Sequence, residues 1–218
     1  MRDSDYSNEK IEEIINWTLP GLTMYYRDSQ LSSDITKKYQ IGQIFRSQIF
    51  VDISSFAGKL TKNCRFIFAT NKAAPLYQIN PKTEKWKLHT INANSYFKVL
   101  DIYQKADKTQ FLLLHIPAKG INFFRNLEIN IGGEKFWEKI INKSRIIFDE
   151  KMEMDIIPEL EEIEWINRTN YPIGLDNDNN FFSLLPTEEM LPKAVSIYNA
   201  IFKITNDTEL NIPIIRKL

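Results

Sequence analysis

The chain has 218 residues, 43% hydrophobic and 26% charged, enough to bury a core without disulfide or metal staples. Lysine plus arginine and aspartate plus glutamate number 28 each, so no global field draws in nucleic acid or an anionic membrane surface. The single cysteine, Cys64, excludes an internal disulfide and a Cys-rich zinc site, and its place before an apolar segment reads as a buried, inert thiol.

The polar stretch Met1 to Lys10 lacks the apolar core of a secretion signal. No run approaches the ~20 apolar residues of a membrane-spanning helix. The expectation is a soluble cytoplasmic protein.

Along the chain, Asn8 can cap a short helix carrying Ile11, Ile14 and Ile15, stopped by Pro20-Gly21. Between Gly42 and Phe56 the series Phe45, Ile49, Ile53, Phe56 has helical spacing, while the β-branched Ile49, Val51 and Ile53 also permit a strand. From Arg65 to Pro117 the pattern changes to short apolar runs joined by tight turns. The strands expected there are Arg65–Thr70, Leu76–Asn80, Lys85–Ile91, Tyr96–Lys105 and Lys108–Ile116. Connections this short make consecutive strands antiparallel, so the segment 65–117 reads as an antiparallel β-meander.

Leu76-Tyr77-Gln78-Ile79-Asn80-Pro81-Lys82-Thr83-Glu84-Lys85-Trp86 resembles the strand–turn–strand of a kelch-type propeller blade. A propeller repeats that unit about every 50 residues. Nothing similar recurs, so the resemblance stops at hairpin chemistry.

After Gly132-Gly133 the spacing of Phe136, Ile140, Ile147 and Phe148 predicts a helix over 134–153. Pro158 opens a short acidic helix around Leu160, Ile163 and Trp165, and Tyr171–Asn180 is a loop rich in Asn and Asp. A last helix runs from Thr187, its cap, to about Ile204, with Pro192 in the first turn. The fold expected is one α+β domain over 1–218, its meander packed by N-terminal and C-terminal helices.

One constellation could carry chemistry. A two-residue turn at Ala93-Asn94 sets His89 opposite Lys98, and another at Ala106-Asp107 sets Lys98 opposite His115. The three side chains would then form one cross-strand row, the two histidine backbones roughly 10 Å apart. A lysine between two imidazoles suits a phosphate or carboxylate, because the anion raises their pKa values and binds the protonated rings. The plainer reading is polar residues hydrogen-bonded on a covered or solvated face. A one-residue slip in either hairpin would dissolve the row.

Asp176-Asn177-Asp178-Asn179-Asn180 opens like a calcium loop but has Phe181 where glycine should turn and Thr187 where a bidentate Glu should close it. Asp149 and Glu150 are acids on a helix, with no partner carboxylate to complete a metal site. The chain contains no P-loop, no G-x-G-x-x-G, no H-E-x-x-H and no G-x-S-x-G elbow. The functional expectation is therefore a binding protein for another macromolecule, a protein partner rather than nucleic acid, with no cofactor and no metal. The alternative is an enzyme or sensor for a small anionic ligand, using His89, Lys98 and His115. A metal-dependent nuclease built on Asp149 and Glu150 comes third.

Overall fold

The computed structural model describes residues 7–126, 130–131, 134–186 and 189–207. Gly132-Gly133, the Phe136 side chain and Thr187 lie outside the described residues. Helix α1 (Asn8–Thr18) is capped one residue earlier than expected, by the Ser7 side chain accepting from the Lys10 N–H. Strand β1 (Thr23–Ser29) follows, then the single-turn α2 (Ser33–Thr36). Strands β2 (Ile44–Ser47) and β3 (Val51–Ser54) occupy the stretch whose spacing fitted either state. The β-branched residues prevail there because Val51 and Ile53 alternate into a core that a helix could not reach with both.

Next come β4 (Cys64–Thr70), β5 (Ala73–Ala74), β6 (Leu88–Ile91), β7 (Ser95–Lys105) and β8 (Lys108–Ile116). Helix α3 (Ile121–Asn126), a ribbon of β9 (Asn130–Ile131) and β10 (Glu134–Lys135), and helices α4 (Phe136–Met152), α5 (Ile163–Thr169) and α6 (Pro192–Ile204) complete the chain. The fold is α+β, with an eight-stranded, mostly antiparallel sheet and helices toward both ends. Among the described residues no helix is long and apolar enough to cross a membrane.

The strand order, β2-β7-β8-β4-β1-β3-β6-β5, differs from a meander. The hairpin β7–β8 forms as expected around Ala106-Asp107, with Lys105 opposite Lys108. However, β4 pairs with β8 in parallel, and β6 pairs with β3 and β5 instead of β7. Leu76–Gln78 and Pro81–Trp86 are 3₁₀ turns, so the blade-like hairpin is absent. Asn80 accepts from the Lys82 N–H, Pro81 sits in the first turn, and Lys87 turns left-handed, with φ 44°. These local bonds favour a turn, and burial of Trp86 against Trp165, ring centroids 5.8 Å apart, holds it.

The order also forces the sheet to curl. β2 and β3 are five positions apart, which in a flat sheet is about 24 Å. Only residues 48–50 connect them, a reach of at most about 15 Å. β6 and β7 are again five positions apart, joined by residues 92–94. The sheet therefore bends back on itself, bringing its β2–β7 side toward its β3–β6 side.

Inside the curl lie Phe45, Ile53, Phe66, Phe97 and Phe111, with Phe66 stacked on Phe111 at 5.0 Å. Outside it, Ile67, Leu112, Leu114 and Leu100 are covered by Ile14 of α1, Phe124 of α3 and Ile140 of α4. Each buried aromatic or aliphatic side chain contributes roughly 1.5–3 kcal/mol.

A cleft where the curled sheet stays open

The expected row of His89, Lys98 and His115 does not form. The Ala106-Asp107 turn is in the register assumed, but a β-bulge between Val99 and Asp101 inserts one residue into β7. Beyond it Lys98 faces Leu114, and His115 faces Phe97. One extra residue turns a strand face over, so Lys98 and His115 lie on opposite sides of the sheet. His89, on β6, is paired with Ile53 and belongs to neither partner strand.

Each of the three is instead satisfied where it stands. His115 is buried, its Nδ1 2.9 Å from the Thr70 hydroxyl and its ring 5.0 Å from Trp17. The Thr70 oxygen also accepts from the Lys72 N–H, tying the ring to the turn after β4. Burial pushes this ring down to about 3, with Lys72 adding repulsion. His89 donates from Nδ1 to the Lys87 carbonyl, 2.8 Å away, beneath Tyr25 at 4.6 Å. Burial lowers its pKa, and the carbonyl bond partly opposes this. Lys98 donates to the Phe124 carbonyl at 2.5 Å, its pKa also lowered by burial. Asp149 is likewise engaged, by Lys105 at 3.1 Å and the Tyr103 hydroxyl at 3.3 Å.

A cavity lies elsewhere, between the β2–β3 connection and the segment 171–182. A cleft of about 560 Å³ is lined by Gln48 and Ile49 of the β2–β3 connection, by Tyr171 and Phe182, and by the turn Asp176–Asn179. A second cavity of about 280 Å³ shares Gln48 and Ile49 with it and continues past Phe50, Met190, Leu191 and Ala194 to the start of α6. A third, only about 20 Å³, adjoins His115, Ser95 and Asn94, the size of a single water site.

One wall of the cleft is a strap, residues 169–184, laid across the open side of the sheet. Side chains from the sheet and from Tyr39 hold it almost wholly by its main-chain carbonyls. Arg27 donates from Nε to Thr169 O at 3.0 Å and from Nη2 to Tyr171 O at 2.9 Å. Arg46 donates to Ser183 O at 2.6 Å, Tyr39 to Ile173 O at 2.9 Å, and Tyr96 to Leu184 O at 2.7 Å. Gly174 is the close approach. Its φ is +79°, and a Cβ there would lie 2.4 Å from Phe45 Cδ2. At the tip, Asp176 Oδ1 accepts from the N–H groups of Asp178 and Asn180, which is turn chemistry rather than calcium ligation.

Three buried arginines organise this half of the molecule: Arg27, Arg46 and Arg65, each 1% exposed or less. Arg65 makes a bidentate pair with Asp28 at 2.6 and 2.7 Å. Arg27 lies 3.9 Å beneath the Tyr171 ring, and Arg46 5.7 Å from that of Phe182. Sequence reasoning passed over all three. The available signal was a charge embedded in each of the strands Met24-Tyr-Tyr-Arg27, Ile44-Phe-Arg46 and Cys64-Arg65-Phe-Ile-Phe.

No protein-family model matches the chain, and no curated protein matches it. Several solved structures resemble part of it. The ADP-ribosyltransferase HopU1 of Pseudomonas syringae pv. tomato DC3000 aligns with 44% of this chain and 45% of its own, at 16% identity and TM-score 0.38. Exoenzyme S of Pseudomonas aeruginosa, solved with human 14-3-3 protein beta and carba-NAD, aligns over 51% and 60%, at 12% identity and TM-score 0.38. The Clostridium limosum C3 exoenzyme aligns over 50% and 67%, at 10% identity and TM-score 0.39. The chain thus spans about half the length of the first of these relatives.

Proposed function

We propose that this is a binding protein whose ligand, a small organic molecule, sits in the cleft between the β2–β3 connection and the strap. The observation that carries the reading is the pair of adjoining cavities, about 560 and 280 Å³, sharing Gln48 and Ile49. Sites for small ligands are concave, of this size, mainly apolar, and set with a few polar groups. Here Ile49, Phe50 and Leu191 supply apolar surface, and Gln48 and Asn177 supply carboxamides. The buried Cys64 thiol fits a reducing compartment such as the cytoplasm.

The test is thermal stability against a panel of small amines, amides, carboxylates and nucleotides, carba-NAD among them. A ligand at a hundred times its Kd adds about 2.7 kcal/mol, or roughly 5 °C or more for a chain of this size. Ile49 is 47% exposed, so Ile49→Arg fills the cleft without touching the core. Protection in the wild type and none in Ile49→Arg supports the cleft. Equal protection of both proteins refutes it.

A macromolecular partner is a second reading, favoured by one observation. Ile197 and Ile204, seven residues apart and so on one side of α6, stand exposed. Sedimentation at rising concentration, with Ile197→Glu as control, tests whether a second copy covers that face.

A further inference from the structure

The cleft's lining also restricts the chemistry of its occupant, an inference that rests on the cleft being the binding site. The charged side chains lining the two cavities are Asp176 and Glu189, and among the described residues no Lys, Arg or His lines either one. Asp176 spends Oδ1 on closing its own turn, and Oδ2 has no described donor. Two cations do approach from behind. Arg27, however, lies beneath the Tyr171 ring with Nε and Nη2 committed to strap carbonyls and Nη1 buried without a described partner, and Arg46 is committed to Ser183 O and Asn94 Oδ1. Coulomb energy falls with distance, so an occupant feels the carboxylates it touches more than guanidiniums held behind a ring. The two cavities also carry different side chains. The smaller has Phe50, Met190, Leu191 and Ala194 beside Gln48, Asn94 and Glu189, while Asp176 and the carboxamides of Asn177 and Asn179 belong to the larger.

We propose that the cleft takes an amphipathic ligand without negative charge, its apolar end among Phe50, Met190 and Leu191 and its amine or amide end beside Asp176. The anionic ligand expected from the sequence is disfavoured here, because its head would meet Asp176 in the larger cavity or Glu189 in the smaller. An apolar tail gains about 0.8 kcal/mol per buried methylene. That gain is about fourfold in affinity for each carbon until the smaller cavity is full.

Three probes of one chain length separate the terms: hexylamine, hexanamide and hexanoate, titrated while backbone amide shifts are followed by NMR. The amine and the amide should bind and shift amides at both 48–50 and 176–179, with hexanoate at least tenfold weaker. In Asp176→Asn/Glu189→Gln, hexanoate should come within about threefold of hexanamide. Asn keeps the acceptor that closes the turn, so this variant should fold, and its unperturbed spectrum away from the cleft verifies that. Hexanoate binding the wild type as tightly as hexylamine, or an unchanged ranking in the double variant, overturns the proposal. If none of the three binds but another compound is displaced by Ile49→Arg, the ligand class is wrong and the cleft stands. If Ile49→Arg alters no binding at all, the cleft itself fails.

Discussion

Lowering the pH should destabilise the protein through His115, by an amount its surroundings fix. The imidazole is fully enclosed by Trp17, Phe97 and Thr70, and Lys72 is the charge facing it. Folding holds its pKa at about 3, against an ordinary value near 6.5. Below pH 6.5 the unfolded chain takes up a proton that the folded chain refuses, so stability present above 6.5 falls as the pH drops toward 3. The slope is about 1.4 kcal/mol per pH unit, or about 2 kcal/mol lost between pH 6.5 and pH 5. The comparison protein is His115→Gln, which leaves Thr70 a hydrogen-bond partner and cannot titrate. Urea unfolding of both proteins at pH 7, 6 and 5 isolates the effect, since His89 and every carboxylate contribute equally to each. The wild type should lose about 2 kcal/mol relative to the variant over that range. A difference that stays constant with pH would mean the ring is charged or hydrated in the fold, and would refute its enclosure.

Gly174→Ala should cost about 2 to 4 kcal/mol, from a left-handed backbone and a forced contact with Phe45; urea unfolding measures the cost, and a loss under 1 kcal/mol would mean the strap is not seated as described. Asp28→Asn should cost about 3 kcal/mol, because it leaves the Arg65 guanidinium buried without its carboxylate; calorimetry checks this. Cys64 should resist alkylation at pH 8 at the rate of global opening, since burial pushes its thiol up to about 12 with Asp28 adding to the effect. Fast modification of the native protein would contradict that burial. Trp86→Ala should lose about 3 to 5 kcal/mol by opening a cavity against Trp165, with the change in tryptophan fluorescence marking the site.

How far the sequence reached is clearest at β7. The turn at Ala106-Asp107 was legible, because Ala106 and Asp107 form a two-residue loop whose flanking register, Lys105 to Lys108, is local. The bulge past Val99 was not, because what drives it is nonlocal. It lets Val99 and Phe97 face the inner core while Asp101 turns out to pair with Arg145 of α4 at 2.7 Å. That single residue separated Lys98 from His115, and the pairing of β6 with β3 took His89 out of the row.

Periodicity and turn residues, which act within a few bonds, determined much by themselves. They placed the α+β class, helix α4 with Ile140 and Phe148 inward, and Pro192 at the opening of α6. The tertiary structure alone decided which strands became neighbours. β4 and β8 lie side by side though 37 residues separate Thr70 from Lys108, and residues 169–184 return from far along the chain to close the open side of β1 and β2. Pairing over such distances is chosen by the shared core and by buried donors such as Arg27 and Arg46, which need carbonyls that no local segment can supply. The cleft exists only where those long-range choices leave the curled sheet unpaired, so no window of sequence could contain it.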